Sequence, residues 1–147
     1  GCQLGVACDC RVMARGRLRL GLSELNLGVP VPGLSLRMLR SRLRSSAVDD
    51  LVFRAEGCTA ERARELGLVH RAVAREELGA VTAHEITRLA GRPRRAFVES
   101  KRMLLSRTWT EMSEARTDEN EAFLDCWFEP ETRARLSGRC RRMPARR

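Results

Sequence analysis

The sequence predicts an α/β fold, in which a short unit of helix and strand precedes a mainly helical region. Leu18, Leu20 and Leu22 occur at every second position, as in a strand with one apolar face. From residue 34 onward, apolar residues recur mostly at helical spacing. The segment "PVPG" separates the two regions, because proline and glycine interrupt regular structure. The 147 residues correspond to about one domain.

The first 24 residues predict an αββ unit. The segment "GCQLGVACD" predicts a short helix that opens on a glycine. Two strands, "CRVMA" and "RLRLGLSE", follow, with "RG" as the turn between them. The apolar phase changes between Ser23 and Leu25, so the chain is expected to bulge or turn there.

The middle of the chain predicts a capped helix and a longer amphipathic one. Thr59 can cap a helix of about two turns, and Gly67 can end it in the left-handed conformation before the extended segment "LVHRAV". The second helix follows from a helical apolar pattern that ends at "GRP". This pattern consists of Leu78, Val81, Ile86 and Leu89.

Two more helices and a tail complete the chain. Pro93 suits the first turn of a helix whose expected buried residues are Phe97, Val98, Met103 and Leu104. The last helix, broken near "EPE", is marked by Met112, Ala115, Glu119, Ala122, Phe123 and Cys126. Residues 137–147 have no periodicity and are expected to be disordered or adaptable.

The charge of the chain favours an anionic partner. The 28 basic residues exceed the 19 acidic ones, and all but Lys101 are arginines, which bind phosphate and carboxylate in a forked geometry. Nucleic acid, a phosphate-bearing ligand and simple solubility all fit this balance. Aromatic residues make up only 4% and include no tyrosine, so few side chains can stack on bases. A nucleic-acid partner is therefore disfavoured.

Cysteine spacing and hydropathy suggest a reduced, cytoplasmic protein without a metal site. The six cysteines lack the paired spacing of zinc ligands, and no apolar run has the length of a membrane span. The chain opens without a recognisable targeting segment and resembles a piece of something longer.

Glu24 is the one acidic residue in the apolar stretch "LRLGLSELNLGVPVPG". It takes the next position on the face formed by the three alternating leucines, where an apolar residue is expected. A solvated acid at a strand end and a catalytic carboxylate both fit this pattern.

Four segments in this order resemble the latter half of the crotonase superfamily, the enoyl-CoA hydratase/isomerase family. They are "GCQLGVACDCRVMA", "LGLSELNLGVPVPG", "GCTAERARELGLVHRAVAREEL" and "RAFVESKRMLL", and the resemblance covers residues 1 to about 136. It implies a partial ββα spiral core over residues 1–33 and a helical oligomerisation region over 34–136, followed by the basic tail 137–147. It also implies acyl-CoA thioester substrates, with no separate cofactor, and homotrimers or hexamers.

The resemblance also implies site residues. Glu24 falls on the family's second catalytic glutamate, a general acid/base. Gln3 occupies the position of the first glutamate of hydratases; because an amide cannot accept a proton from water, a single-acid shift of a double bond becomes the favoured reaction. Gly1 lies beside one donor of the oxyanion hole, while the other donor belongs to a motif that precedes this sequence. We therefore expect negligible turnover from the isolated chain.

Basic residues are the candidates for binding coenzyme A. Lys101 matches a position where the family often has lysine, although a solvated helix face fits it as well. The tail resembles in position the family segment near the CoA nucleotide, so Arg139, Arg141 and Arg142 are candidate phosphate contacts. His70, His84 and Asp9 are expected to be structural. A non-catalytic relative that keeps only oligomerisation remains the main alternative, and a basic nucleic-acid-binding protein is the other.

Overall fold

The fold is that of a computed structural model, which describes residues 1–113 and 117–141. Its helices and strands, numbered in chain order, are α1 (Cys2–Ala7), β1 (Val12–Ala14), α2 (Glu24–Leu27), α3 (Gly33–Arg42), α4 (Ser45–Arg54), α5 (Ala60–Glu65), β2 (Arg71–Val73), α6 (Leu78–Ala90), α7 (Arg94–Ser113), α8 (Thr117–Phe128) and α9 (Pro130–Arg141). Within the described ranges, no helix is long and apolar enough to span a membrane. The prediction of a small strand-containing unit followed by helices is confirmed.

The two strands pair in parallel, and this corrects the predicted hairpin. Val12 lies opposite Arg71, and Ala14 lies opposite Val73. The Arg15 N–H still donates to the Val73 carbonyl at 2.7 Å, so Arg15 belongs to this ladder and cannot form a two-residue turn with Gly16. The predicted second strand, residues 17–24, makes only an antiparallel bridge between Leu20 and Cys58 within the part of the chain that is described.

The core lies beneath α1, α3, α4 and α5. Leu39 and Leu68 are its largest fully buried side chains. Leu22 is also buried, whereas Leu18 at the other end of the predicted strand face is 53% exposed. The core cluster consists of Cys2, Val6, Leu22, Val31, Leu39, Val48, Leu51, Ala63, Leu68 and Val69.

The capped helix α5 forms as predicted. The Thr59 hydroxyl accepts a hydrogen bond from the Arg62 N–H at 3.2 Å, and Gly67 has a φ of +77° just beyond the helix. The turn at Gly67 leads to Leu68, whose carbonyl accepts a hydrogen bond from Nε of the buried Arg11 at 2.7 Å. This contact joins the end of the α5 turn to the start of β1.

Helix α7 buries less of its predicted apolar set than expected. Phe97 is half-buried, but Val98, Met103 and Leu104 are at least half exposed, whereas Leu105 and Thr108 are buried. Lys101 forms an ion pair with Asp9 of the first segment, and 101, 105 and 108 share one side of the helix. Met103 lies on the opposite side, while Val98 and Leu104, each three positions from Lys101, border the buried side and stay exposed.

The C-terminal helices differ from expectation at their ends. Met112 belongs to α7, and the predicted last helix is present as α8, although Ala115 lies outside the described residues. Residues 137–141 of the tail, expected to be disordered or adaptable, are helical and continue α9. Helix α9 is supported by an ion pair between Glu131 and Arg135, one turn apart, rather than by an apolar stripe.

Candidate active site

Gln3 and Glu24, the two candidate catalytic residues, lie side by side. Gln3 is in α1, and Glu24 is the first residue of α2. The Gln3 Nε2 atom donates a hydrogen bond to Glu24 Oε1 at 2.7 Å. A neutral amide thus holds one oxygen of the carboxylate and fixes the orientation of its plane.

The other carboxylate oxygen has a different environment. Glu24 Oε2 is buried and has no hydrogen-bond partner among the described residues. A buried oxygen without a donor is costly in a protein interior, so this atom is a candidate acceptor for a proton from a bound molecule. The two carboxylate oxygens therefore differ: Oε1 accepts a hydrogen bond from Gln3, and Oε2 is buried without a partner among the described residues.

A buried thiol lies near this carboxylate. Burial, together with the nearby Cys58 and Glu24, raises the pKa of Cys2 to about 11. The Cys2 thiol is therefore neutral near pH 7 and does not compete with Glu24 as a base. Cys2 instead belongs to the buried core cluster.

The backbone that leads into Glu24 packs closely against a neighbouring segment at Gly21. A Cβ atom at residue 21 would lie 2.6 Å from the Glu56 carbonyl oxygen and 3.0 Å from the Gly57 Cα. Only glycine lets the chain pass this close to the neighbouring backbone. The buried Leu22 follows, and α2 begins two residues later. The predicted change of apolar phase is therefore the start of a short helix.

The far end of α2 is fixed by two long-range hydrogen bonds. Thr132 of α9 donates from its hydroxyl to the Gly28 carbonyl at 3.1 Å. Asn26 donates from Nδ2 to the Ala55 carbonyl, just after α4, at 2.7 Å. Gly28 ends α2 with a φ of +88°, a conformation that favours glycine. These contacts hold the four-residue helix that carries Glu24.

Lys101 takes part in an ion pair with Asp9, just beyond the end of α1. Its Nζ atom lies 2.6 Å from Asp9 Oδ2, and Asp9 Oδ1 lies 3.4 Å from an Arg42 nitrogen. Asp9 is therefore the structural contact that the sequence suggested. The ammonium group of Lys101 thus has an acidic partner within the chain. A role of Lys101 in CoA binding stays a prediction.

The remaining candidates lie at the two ends of the chain. Gly1 is the N-cap of α1, and its carbonyl accepts a hydrogen bond from the Gly5 N–H at 2.9 Å. Arg139 and Arg141 are exposed in the last turn of α9, and Arg142 lies outside the described residues. Within residues 1–113 and 117–141, no hydrogen bond or ion pair connects Arg139 or Arg141 to Glu24.

Sequence reasoning missed two long-range contacts, and one of them holds the end of the helix that carries Glu24. Arg37 of α3 forms a bidentate pair with Glu119 of α8, at 2.5 and 2.8 Å. Thr132 reaches Gly28 across 104 positions of sequence. Neither pair carries a local sequence signal, since each joins residues that only the tertiary fold brings together.

A family comparison agrees with this arrangement. The sequence model described as Enoyl-CoA hydratase/isomerase matches residues 1–136. The chain belongs to this family. Its structure is correspondingly part of a crotonase fold, with a small sheet and a large helical region.

The family member resembles proteins that are about twice its length or more. A short-chain-enoyl-CoA hydratase of Clostridium acetobutylicum is 28% identical over 128 residues, which cover 86% of this chain and 48% of the relative. A 2,3-dehydroadipyl-CoA hydratase of Escherichia coli is 39% identical over 70 residues, 47% of this chain and 27% of the relative. The chain thus spans about half or less of the length of these relatives.

Solved structures of similar fold are also matched over only about half of their length. Human mitochondrial delta3-delta2-enoyl-CoA isomerase superposes with a TM-score of 0.87 and 20% identity, over 96% of this chain and 55% of the isomerase chain. A putative enoyl-CoA hydratase from Streptomyces avermitilis superposes with a TM-score of 0.84 and 24% identity, over 100% of this chain and 52% of that chain. At these identities the superpositions show the fold.

Proposed function

We propose that this chain carries the proton-transfer part of an enoyl-CoA active site, with Glu24 as the general acid/base. The observation that supports it is the divided environment of the carboxylate: Gln3 holds Oε1, and Oε2 is buried without a partner among the described residues. Family membership supports the acyl-CoA substrate class.

The favoured reaction is a shift of a double bond in an enoyl-CoA. Glu24 Oε2 takes a proton from the carbon next to the thioester carbonyl, and the electron pair of that C–H bond moves into a dienolate. The same carboxylic acid then returns the proton to the carbon at the other end of the conjugated system. One proton leaves and one returns, so a single acid suffices.

Hydration of an enoyl-CoA is the second candidate, because curated relatives bear the names of hydratases. Gln3 argues against it here. In a two-carboxylate mechanism the residue at position 3 has to accept a proton, and an amide lacks that capacity. Gln3 is therefore assigned to orienting Glu24.

The isolated chain is expected to be nearly inactive. Acyl transfer and enolate chemistry on thioesters depend on backbone N–H donors at the developing oxyanion, and losing one such donor costs about 3–4 kcal/mol. The resemblance places one donor beside Gly1 and the other in a segment that precedes this sequence. Measurable turnover by the purified chain, lost in Glu24→Gln, would show this expectation to be wrong.

A chimera tests the assignment of Glu24. The part of the Clostridium acetobutylicum hydratase that precedes its matched segment is fused before Gly1, and conversion of a 3-enoyl-CoA to the conjugated 2-enoyl-CoA is followed by absorbance. Glu24→Gln is expected to lower kcat by about 10²–10⁴-fold, as for removal of a general acid/base. Glu56→Gln, at an exposed residue outside the site, is the matched control and is expected to retain kcat.

The proposal also assigns roles to the basic residues and to the helical region. Lys101, Arg139 and Arg141 are assigned to the phosphates of coenzyme A, supported by their charge and by the family resemblance. The helices α7 and α8 are assigned to contacts between copies in a trimer. The exposed large apolar side chains on these two helices support this assignment. They are Val98, Met103, Leu104, Trp109, Leu124 and Phe128.

A further inference from the structure

Two thiols flank Asp9 in the segment that joins α1 to β1. Cys8 and Cys10, called the Cys8–Cys10 pair below, are the two cysteines that lie closest together in the sequence. Cys8 is exposed, and Cys10 is half-buried. Neither thiol belongs to the Gln3–Glu24 arrangement, so the proposed function leaves both of them unused.

Both thiols of the pair face the same cavity. The backbone of Cys8 is extended, with a φ of −81° and a ψ of +147°, and alternate side chains of an extended segment lie on one side. Cys8 and Cys10 accordingly line one cavity of about 560 Å³, whereas Asp9 lines a separate cavity of about 360 Å³. The carboxylate of Asp9 is engaged there by Lys101 at 2.6 Å.

The spacing of the pair suits a disulfide. Two consecutive trans peptides place the Cα atoms of residues 8 and 10 at most about 7 Å apart, and the bend of the chain over residues 8–10 shortens this distance. Disulfides join residues whose Cα atoms are about 4.4–6.8 Å apart. The two sulfurs can therefore meet after side-chain rotation and a small adjustment of the backbone.

A buried guanidinium lies beside the pair. Arg11 is 8% exposed, and its Nη1 atom donates to the Cys8 carbonyl at 2.9 Å. Burial, followed by the charge of Arg42, lowers the pKa of Arg11, whereas negative charge on Cys10 and Cys8 acts in the opposite direction. This interaction is mutual, so the guanidinium attracts negative charge at either sulfur. The thiolate is the nucleophile in thiol–disulfide exchange.

The other cysteines are less suited to exchange. Cys2 is buried, and its thiol is neutral near pH 7. Burial also raises the pKa of Cys58. Cys126 and Cys140 lie on different helices, α8 and α9. The Cys8–Cys10 pair combines an exposed thiol with a second thiol two positions away.

We propose that the Cys8–Cys10 pair is a redox modification site, which a low-molecular-weight disulfide of the glutathione type converts to an internal disulfide. The more exposed Cys8 reacts first: its thiolate attacks one sulfur of the small disulfide and forms a new S–S bond. The other half leaves as a thiolate and takes up the proton that Cys8 released. The Cys10 thiolate then attacks the Cys8 sulfur and displaces the remaining half. Two protein thiols are oxidised, and one small disulfide is reduced to two thiols.

The position of the site gives it a structural consequence. The ring that the disulfide closes includes the whole backbone of Asp9, the residue that anchors Lys101 of α7. The modification therefore acts on the segment that holds α7 to the start of the chain. This inference goes beyond the proposed function, because it requires no particular role of Glu24.

Oxidised glutathione tests the proposal on the full 147-residue chain. The reduced chain is incubated with it, trapped with N-ethylmaleimide in denaturant and cleaved with trypsin, which releases residues 1–11 as one peptide because Arg11 is the first basic residue. Mass spectrometry is expected to show this peptide with Cys2 alkylated and with two hydrogens fewer at the Cys8–Cys10 pair. The internal disulfide is expected to exceed the mixed disulfide with glutathione by about tenfold or more, because the second thiol is tethered beside the first.

A matched pair of substitutions assigns the two steps. Cys10→Ser keeps the attacking thiol and removes the second one, so a lasting mixed disulfide with glutathione at Cys8 is expected in place of the internal disulfide. Cys126→Ser is the control, at a half-buried thiol of α8, and is expected to leave the internal disulfide unchanged. Circular dichroism of both variants checks that each is folded.

Four outcomes would overturn the proposal. They are recovery of both thiols fully alkylated, mixed disulfides without the internal one, a disulfide that involves Cys2, and a disulfide between two copies of the chain. None of these measurements uses an acyl-CoA. An internal disulfide in a chain whose chimera lacks isomerase activity would therefore count against the role of Glu24 and leave the redox site intact.

Discussion

His70 shows how a single side chain holds the first strand at the residue scale. Its ring Nδ1 atom accepts a hydrogen bond from the Arg11 backbone N–H at 3.0 Å, and the backbone N–H of His70 donates to the Arg11 carbonyl at 2.8 Å. Desolvation of the ring, followed by the positive charges of Arg11 and Arg42, lowers the pKa of His70 from its ordinary 6.5. The neutral ring is the form that can accept this bond.

The lowered pKa predicts a pH dependence of stability. Between the folded pKa and 6.5, the unfolded chain binds more protons at His70 than the folded chain does. The free energy of unfolding therefore has its full value above pH 6.5 and falls as the pH drops through 6.5 toward the folded pKa. Urea titrations at several pH values measure this slope.

Variants of the two histidines assign the slope. His70→Phe removes the acceptor, so it is expected to lower stability at about pH 8 by about 1 kcal/mol and to remove the part of the slope that His70 causes. His84→Asn, at an exposed position of α6, serves as the control and is expected to keep the slope. An unchanged slope in His70→Phe would contradict the assignment.

Much of the candidate site could be predicted at this scale, because its signals are local. Glu24 interrupts an apolar pattern that runs over a few residues, and Gln3 occupies a fixed position in a short motif. The residues that orient them are different. Thr132 is polar and lies in a helix without an apolar stripe, so its burial and its bond to Gly28 follow only from the tertiary fold.

Helix α2 is the element on which the site depends, and it is too short to be stable alone. Four residues make at most one turn, so its conformation has to be imposed by neighbours. Thr132, Asn26 and the left-handed Gly28 supply this constraint from α9, from the end of α4 and from the backbone itself.

Substitution of Gly28 is expected to disturb this element. A Cβ atom there would lie 2.4 Å from Thr132 Oγ1, on a backbone with a φ of +88°. Gly28→Ala is therefore expected to lower the free energy of unfolding by about 1–3 kcal/mol. Gly138→Ala is the matched control, because a Cβ at this α9 glycine meets nothing within 4 Å. It is expected to raise stability by up to about 1 kcal/mol. Equal effects of the two variants would contradict the account.

The elements that sequence reasoning placed wrongly fail for identifiable reasons. Residues 10–24 look like a hairpin because the partner of β1 comes from β2, far along the chain, and no local pattern reveals a parallel pairing. The prediction for α7 was partly wrong because the burial of its apolar residues depends on which distant segments pack against it, such as the segment of Asp9, the partner of Lys101. Both errors concern contacts between distant segments.

At the scale of the whole molecule, several large apolar side chains of the C-terminal helices are exposed to solvent in the single chain. Leu104 is 76% exposed on α7, and Phe128 is 68% exposed on α8. Large apolar side chains of this kind in one helical region are typical of surfaces between subunits. This region corresponds to the part of the family fold that the resemblance assigns to oligomerisation.

The oligomer proposal predicts a definite mass. Native mass spectrometry of the chain is expected to show three copies or a multiple of three. Leu104→Asp is expected to shift the population toward single chains, because a carboxylate would be buried at the contact. Phe53→Asp, equally exposed on α4, is the control. A single-chain mass for the unsubstituted protein would contradict the assignment of α7 and α8.

The central claim is that Glu24 moves protons on an enoyl-CoA. Exchange of substrate protons with solvent tests this claim most directly. The chimera with the hydratase segment before Gly1 is incubated with a 3-enoyl-CoA in deuterated buffer, and mass spectrometry of the thioester reports deuterium gained at the carbons that exchange protons. The account predicts deuterium incorporation with Glu24 present and its loss, by about 10²-fold or more, in Glu24→Gln. Incorporation at an unchanged rate in Glu24→Gln would contradict it.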